Sequence, residues 1–292
     1  VSIDFYINET TQHADIILPP TSALEHDHYD IAFHRLAVHN TARFNEPVFE
    51  PAAGTLHDWE IFNGLGQAIA AHKGIEVKSL PSPDKMVDMG IQRGPYGAAA
   101  GHELELTLDK IKQHPHGLDI GPLAPSLPER LCTADGKITL VADYITKDLK
   151  RLGADKATTE ADELLLIGRR HIRSNNSWLH NSHRLVKGKP RWQLLMHPED
   201  LAAHKLEDQG QVRITSRVGE VVTQVVASDE VMPGVVSLPH GWGHKRAGVS
   251  MAIAGQQEGV SCNDLTDDKL VDQISGNAAL NGVPVRIFAV QA

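Results

Sequence analysis

Cysteine is scarce in this chain: its 292 residues contain two, Cys132 and Cys262. They lie far apart and show no C-x-x-C spacing. A cysteine-ligated iron–sulfur cluster needs about four thiolates, so this sequence cannot hold a cluster of that kind. Two isolated cysteines are typical of reduced thiols in a cytoplasmic-type protein, and a disulfide between them is the alternative.

Long hydrophobic runs and a basic surplus are missing as well. The longest apolar stretches, such as Leu164–Ile167 and Val235–Leu238, are strand-sized, far below the roughly 20 residues of a membrane-spanning helix. Lys and Arg number 28 against 37 Asp and Glu, and the net charge is -9. We therefore expect neither a membrane span nor a nucleic-acid-binding face.

The chain also lacks an initiating Met and any leader pattern. It opens with Val1–Ile7, a strand-like stretch without a basic n-region or an apolar h-region. We interpret this opening as a strand already under way, which favours a piece of a longer protein over a trimmed complete one. Composition is otherwise that of a globular protein, with 41% hydrophobic and 22% charged residues, and the length suits about two domains.

Residues 1–75 have an α/β pattern. Val1–Ile7 and the apolar run Ala14–Leu18, which Pro19 ends, predict two strands at the end of a parallel sheet. Asp58–His72 has helical spacing. One side of that predicted helix is apolar and is expected to be core: Trp59, Phe62, Leu65 and Ile69.

Residues 76–160 are predicted to be an irregular connecting segment and poor material for one compact core. They contain many glycines and seven prolines: Pro81, Pro83, Pro95, Pro115, Pro122, Pro125 and Pro128. Within this segment, Lys137–Val141 is a candidate strand and Tyr144–Leu152 a candidate short helix.

Residues 161–292 have a mostly β pattern. Gly219 marks a hairpin turn, and Pro198–His204 is a single helix that opens with proline. Short strands without β/α alternation favour a small closed barrel. Six strands are predicted: Leu164–Gly168, Trp192–Met196, Gln211–Ser216, Glu220–Ala227, Val235–Leu238 and Val283–Val290.

Five ordered blocks carry a family resemblance. The first, Asp4–Pro19, has an Asp, an aromatic, a Glu-Thr pair and then Ala-Asp before Leu-Pro; Asn8 stands where Thr is usual. Glu25, Leu36–Pro47 and Asp58–Ile61 continue this block. The others are Gly168–Asn181; Met196–Asp200 with Gly210 and Val212–Gly219; Val231–His244; and Gly259–Thr266 with Asp272–Gly276 and Val283–Val285.

Together these blocks resemble the molybdopterin oxidoreductase family, which includes formate dehydrogenases, nitrate reductases and dimethyl sulfoxide reductases. The resemblance implies an α/β fold followed by a mostly β one. Residues 1–75 would end a Rossmann-like dinucleotide-binding domain, residues 76–160 would connect, and residues 161–292 would form a molybdopterin dinucleotide-binding double-psi β-barrel.

The resemblance also implies a function. The chain is expected to bind molybdopterin guanine dinucleotide, as bis-MGD carrying Mo or W, in the C-terminal part of an oxidoreductase, with formate-dehydrogenase-like chemistry preferred. No catalytic residue or metal ligand is assigned to it. The metal ligand, and any iron–sulfur cluster, would lie in an absent N-terminal part or in a catalytic or electron-transfer subunit, and this chain alone would be inactive. Its location would be cytoplasmic, or periplasmic if the absent part carries a twin-arginine signal.

A pterin dinucleotide combines a pyrophosphate with rings rich in donors and acceptors, so binding it requires cations, amides and flat packing partners. Glu9 and Thr10 match the family's site in the preceding domain, and Asp15 is either part of it or structural. The loop after the first barrel strand supplies most of the remaining candidates. The full expected set is Glu9, Thr10, Asp15, Gly168, Arg169, Arg170, Arg173, Ser174, Asn175, Asn176, Ser177, Trp178, His180, Asn181, His240, Trp242 and Asn263.

Other interpretations of these residues remain. The Arg-, Ser- and Asn-rich loop of residues 168–184 has the composition of a solvated surface turn as well. His240 and His244 flank Gly-Trp-Gly, but the two glycines disfavour a helix and no acidic or cysteine partner is near in sequence, so zinc is disfavoured. At the level of function, the alternatives are a non-catalytic module that carries the cofactor and a non-redox relative such as a hydratase.

Overall fold

The computed structural model describes residues 1–154, 160 and 162–290. They divide into two compact units: Val1–Phe5 with Ala14–Ile138, and Tyr6–His13 with Thr139–Ala292. We call them the N-terminal unit and the barrel unit. The sequence suggests three segments, with boundaries at residues 75 and 160. These boundaries differ from those of the two units, and the three-segment division stays a prediction.

The strands of the N-terminal unit are short and form three separate pairs. β1 (Ser2–Ile3) pairs in parallel with β2 (Ile17–Leu18), as expected for the edge of a parallel sheet. The other pairs are antiparallel. Their members are β3 (His28–Tyr29) with β5 (Phe44–Asn45), and β4 (Thr41–Ala42) with β6 (Leu118–Asp119). A Rossmann-like domain stays a prediction.

Helix α1 (Asp58–His72) forms where the sequence predicts it. Glu60 Oε2 accepts a hydrogen bond from the His57 backbone N–H at 2.9 Å, half of a capping box. The predicted core face is wrong for two residues, because Phe62 is 63% and Ile69 56% exposed. Trp59 and Leu65 are half-buried, and the buried positions are Ile61 and Ala70. Periodicity identifies an apolar stripe, but not which side the rest of the unit covers.

The segment after α1 is less irregular than its prolines suggest. It contains α2 (Pro83–Arg93) and α3 (Leu108–Lys112), whose N-cap Thr107 accepts a hydrogen bond from the Lys110 N–H. It also contributes to a small apolar core, contrary to expectation, because its side chains pack with residues from β4 and β5. That core comprises Ala42, Phe44, Leu106, Leu108 and Ile111.

The helix α4 (Asp143–Ala154) of the barrel unit contains the predicted helix Tyr144–Leu152. The strand predicted at Lys137–Val141 is wrong: this stretch has no strand, and Leu140 is 88% exposed. An apolar run does not form a strand where no neighbouring strand offers hydrogen bonds and no core covers the side chains. Of the helices within the described residues, none is long and apolar enough to cross a membrane.

Six strands of the barrel unit were predicted, and all six form, with ends shifted by at most two residues. They are β7 (Leu164–Arg169), β8 (Leu194–Met196), β9 (Gln211–Thr215), β10 (Glu220–Ala227), β11 (Val235–Pro239) and β12 (Val283–Ala289). They close into a barrel in the order β10-β8-β11-β7-β12-β9. Two short helices, α5 (His183–Val186) and α6 (Pro198–Ala203), lie between strands.

Alternation along the strands fills the barrel. On β9, Val212 and Ile214 are buried and the residues beside them are more accessible, the pattern expected of a strand with one face in a core. The hairpin predicted at Gly219 joins β9 to β10. Leu194, Met196, Val225, Val236 and Leu238 complete a core from which water is excluded.

Candidate functional site

The site lies at one end of the barrel, where two strands finish together. β7 and β11 run in parallel with Arg169 opposite Pro239, so the loops that follow them leave from the same edge. Between these loops is a cavity of about 580 Å³. Its lining comprises Arg170, His171, Ile172, Ser174, Asn175, Asn176, Leu179 and His240.

Unusual backbone angles shape the wall of the cavity. Asn175 and Asn176 have positive φ angles of 41° and 61°, a region that asparagine tolerates better than most residues. Gly241 has a φ of 86°, and a Cβ atom there would lie 2.3 Å from the Asn176 carbonyl oxygen. The loop after β11 therefore approaches the loop after β7 more closely than any side chain would allow.

The cavity has a cationic and amide character. Arg170 donates a hydrogen bond to Asn176 Oδ1, and no Asp or Glu is among the described residues that line the cavity. Burial, then Arg170, lowers the pKa of His240. Burial, then Arg191, Arg173 and Arg169, lowers the pKa of His171. Arginine is thus the charged group of this surface, surrounded by neutral donors and acceptors, an environment that suits anionic oxygens and polar heterocycles.

Behind the wall lies a buried histidine pair. His180 is fully buried and stacks on Trp242, with ring centroids 4.1 Å apart. Its Nε2 is 2.9 Å from Ser174 Oγ and its Nδ1 is 2.9 Å from His244 Nε2. Burial, with a smaller effect of His244, lowers the pKa of His180 to about 4, so the ring is neutral at neutral pH.

Several residues predicted for the site instead hold the barrel together. Arg169 donates to the carbonyls of Ser237 at 2.9 Å and Gln193 at 2.8 Å, and burial lowers its pKa. Asn181 Oδ1 accepts from the backbone N–H groups of residues 253 and 254. The Gly168 N–H is bound to Asn281 Oδ1 at 2.8 Å. These contacts give each of the three a structural task, whereas Arg170 faces the cavity.

The remaining candidates lie outside the cavity lining. Trp178 is 78% exposed, and Arg173 is exposed as well. Ser177 is half-buried in the same loop. Asn263 is exposed beside Cys262, whose Sγ is 3.9 Å from Nδ1 of the lining residue His240. The structure therefore brings together Arg170, Ser174, Asn175, Asn176 and His240, with His180 and Trp242 supporting them from behind.

The three candidates near the start of the chain divide between the units. Glu9 and Thr10 lie in the barrel unit, where Glu9 Oε1 is 2.9 Å from His244 Nδ1 and Thr10 is exposed. Asp15 lies in the N-terminal unit and is exposed. Their expected role in nucleotide binding stays a prediction.

Sequence reasoning missed three lining residues and one contact. His171, Ile172 and Leu179 line the cavity, and their positions inside the candidate loop were the available signal. The contact between Glu9 and His244 joins residues 235 positions apart, and no local pattern indicates it. Within the described residues, no group of three or more His, Cys, Asp or Glu side chains is arranged to hold a metal ion.

Comparison with known proteins identifies the barrel. Residues 164–284 match the model of the Molydopterin dinucleotide binding domain, so the closed barrel is a double-psi β-barrel, as the resemblance implied. The chain is 25% identical over 285 residues to the Probable oxidoreductase YoaE of Bacillus subtilis (strain 168), covering 96% of this chain and 38% of that protein.

Two further matches agree. Dimethyl sulfoxide/trimethylamine N-oxide reductase of Rhodobacter capsulatus is 23% identical over 272 residues, covering 82% of this chain and 31% of that protein. The structure of Acetylene Hydratase from Pelobacter acetylenicus aligns with a TM-score of 0.64 and 16% identity, covering 94% of this chain and 38% of that one, a likeness of fold alone. The chain thus spans less than two fifths of each of these proteins. The barrel therefore belongs to the family of Molydopterin dinucleotide binding domains, and over most of its length the chain is similar to oxidoreductases.

Proposed function

We propose that the barrel unit binds a molybdopterin guanine dinucleotide at the cavity between the loops that follow β7 and β11, as part of a molybdenum or tungsten oxidoreductase. The observation that carries this proposal is the composition of the cavity. Arginine, asparagine, serine and histidine side chains converge at the end of a barrel whose sequence matches the dinucleotide-binding domain. Convergent polar groups in a well-formed concavity are typical of cofactor sites.

The described residues fit such a ligand. Arg170 offers donors for a phosphate or a ring oxygen, and the amides of Asn175 and Asn176 offer both donors and acceptors. Ser174 and His240 add a hydroxyl and a neutral imidazole. When bound, the pterin group supplies the dithiolene sulfurs that carry the metal, and with them the redox chemistry. The contribution of this chain would be to bind and orient the group.

Finer assignments belong to the same proposal. A second pterin dinucleotide, and thus the bis-MGD form, is consistent with Glu9 and Thr10 lying in the segment that resembles the family's other nucleotide site. We propose that the metal ligand, and any iron–sulfur cluster, is supplied by further polypeptide, either the same enzyme or a partner subunit. A relative more than twice as long supports this. A cytoplasmic location stays a prediction.

For the reaction we favour reduction of an N-oxide or S-oxide. The preference for formate-dehydrogenase-like chemistry finds no support in the matches, because three relatives are named as reductases of tetrathionate, of dimethyl sulfoxide and trimethylamine N-oxide, and of trimethylamine N-oxide. Oxidation of formate is therefore the alternative outcome of an assay, together with hydration of an alkyne and the absence of any turnover.

The test is an assay of the native full-length protein with its cofactor. Reduced viologen would serve as electron donor for trimethylamine N-oxide and dimethyl sulfoxide, and oxidised viologen as acceptor for formate. We expect oxide-dependent oxidation of the viologen. Formate-dependent reduction, or hydration of acetylene without any redox activity, would contradict the proposed reaction. A protein that binds the cofactor but turns over none of these substrates would be a carrier module.

A further inference from the structure

Four side chains of the barrel unit form one continuous row of hydrogen bonds. Ser174 Oγ lies 2.9 Å from His180 Nε2, and His180 Nδ1 lies 2.9 Å from His244 Nε2. His244 Nδ1 in turn lies 2.9 Å from Glu9 Oε1. Every ring nitrogen of the two histidines is therefore used within the row.

The row connects the cavity with an accessible carboxylate. Ser174 belongs to the cavity lining, and Glu9 at the other end has a side chain 36% exposed. The three members from Ser174 to His244 are buried, with exposures of 4%, 0% and 5%. Trp242 stacks on His180 and holds the ring in place. The row therefore offers a path along which a proton can move between Ser174 and Glu9 without entering bulk water.

The direction of the hydrogen bonds follows from donor and acceptor counts. An ionised Glu9 only accepts, so His244 carries its hydrogen on Nδ1 and accepts on Nε2. His180 must then donate from Nδ1 and accept on Nε2, and the hydroxyl hydrogen of Ser174 points to that nitrogen. Ser174 Oγ, in a residue of the cavity lining, would then have lone pairs left to accept a hydrogen bond from a ligand N–H.

We propose that Ser174, His180, His244 and Glu9 form a proton relay that receives a ring N–H of the ligand in the cavity and exchanges its proton with Glu9. This inference rests on the proposed function for the identity of the ligand, a polar nitrogen heterocycle such as a pterin. Ser174 is the residue that touches the ligand, and the other three are positioning residues that set its polarity.

The proton step balances without any other reactant. Ser174 Oγ would take up the proton of a ligand N–H and would pass its own hydroxyl proton to His180 Nε2. The Nδ1 proton of His180 moves to His244 Nε2, and the Nδ1 proton of His244 moves to Glu9. Four bonds to hydrogen break and four form, the ligand loses one proton, Glu9 gains one, and no net electron transfer occurs.

The charged groups around His180 keep its ring neutral, so that it would pass a proton on and would not retain it. Arg191 and His171 act on His180 in the direction that lowers its pKa, after burial and His244, whereas the Gly241 carbonyl opposes them. Arg246 is paired with Asp264, and this pair, with a smaller effect of Glu9, raises the pKa of Arg246. Arg170 and His240 face the cavity end. A neutral imidazole between these groups passes a proton on instead of keeping it.

The first experiment reads the relay without a ligand. In the full chain labelled with ¹⁵N-histidine, nitrogen shifts identify the tautomers of His180 and His244, assigned by loss of resonances in His180→Gln and His244→Gln. We expect both rings to carry hydrogen on Nδ1. Glu9→Gln should change the shifts of His180, which Glu9 does not touch. Glu258→Gln, which removes a carboxylate paired with Lys245 in the loop after β11, should leave them unchanged.

The second experiment measures binding of 6-methyl-tetrahydropterin and oxidised 6-methylpterin under anaerobic conditions by calorimetry. The reduced probe has more ring N–H groups and should bind more tightly. Ser174→Ala should weaken its binding about three- to tenfold, the loss of one hydrogen bond, and Glu258→Gln should not.

The two experiments separate the relay from the proposed function. Unchanged His180 shifts in Glu9→Gln, or an Nε2 hydrogen on His180 in the unaltered chain, would overturn the relay even if both pterins bind. If the His180 shifts change in Glu9→Gln but neither pterin binds, the relay would be supported and the proposed ligand class would be contradicted.

Discussion

At the scale of single residues, Arg170 is the side chain that most directly tests the assignment of the cavity. It and Arg173 lie in one loop, but Arg170 lines the cavity and Arg173 does not. A hydrogen bond to a charged group contributes roughly 1.5–3 kcal/mol. We therefore expect Arg170→Ala to weaken binding of guanosine diphosphate or of the full cofactor about ten- to a hundredfold, as measured by calorimetry. Arg173→Ala is the matched control, and equal losses in both variants would count against the assignment.

His180 gives the barrel a dependence on pH. Its folded-state pKa of about 4 lies below the ordinary 6.5, so the unfolded chain binds more protons between these values and stability falls as the pH drops through that window. The gap corresponds to roughly 3 kcal/mol of unfolding free energy. Urea denaturation followed by tryptophan fluorescence should show this loss between pH 6.5 and 4.

Two histidine variants make that titration specific. His180→Gln should flatten the loss, because the buried titrating group is gone. His183→Gln, at an exposed position at the start of α5, should leave it unchanged. A slope that persists in His180→Gln would place the titrating group elsewhere.

At the residue scale, the sequence allows a prediction where the relevant side chains are close together in the chain. The loop between Gly168 and Asn181 was predicted because its cations and amides are concentrated in one stretch, and five of the predicted residues line the cavity or support it there: Arg170, Ser174, Asn175, Asn176 and His180. Composition could not distinguish Arg170 from Arg169. Arg169 is the last residue of β7, and its guanidinium binds the carbonyls of two neighbouring strand segments, a contact that depends on where the strand ends.

At the scale of elements, the contact between the two cavity loops depends on Gly241. A Cβ atom there would lie 2.3 Å from the Asn176 carbonyl oxygen. Gly234 has a similar φ of 82° but nothing within 4 Å of its Cβ position. Both substitutions to alanine cost about 1–3 kcal/mol through backbone strain. Gly241→Ala should cost more and should also weaken pterin binding, as measured by denaturation and calorimetry. Equal effects of the two substitutions would contradict the close approach.

Strands and helices could be predicted where the apolar residues of the sequence pattern are also the residues that are buried. The six barrel strands are rich in apolar residues, and the buried side chains of all six lie in one core, so their sequence pattern is reliable. The same reasoning failed for Lys137–Val141, whose apolar residues are exposed, and for Phe62 and Ile69 on α1. In both cases the pattern was present, but the surface that would cover it is not determined by local sequence.

At the scale of the whole molecule, a remote segment completes the barrel unit. Tyr6–His13 joins it through the Ser250 N–H bond to the Ile7 carbonyl at 2.7 Å and through Glu9 with His244. We expect His244→Gln to speed hydrogen–deuterium exchange in residues 6–13 about fivefold, the loss of about one hydrogen bond, with little change in the barrel strands. Lys245→Gln is the neighbouring control. Unchanged exchange in His244→Gln would mean that the histidine does not hold this segment.

The central claim is that this barrel holds a molybdopterin dinucleotide. The most direct measurement is the pterin content of the protein purified at native length from its source, by fluorescence after oxidation and release of the cofactor. We expect guanine-containing pterin dinucleotide in a near-integral ratio to protein, and its loss in the Arg170→Ala variant. Protein that is folded and pure but contains no pterin would contradict the account.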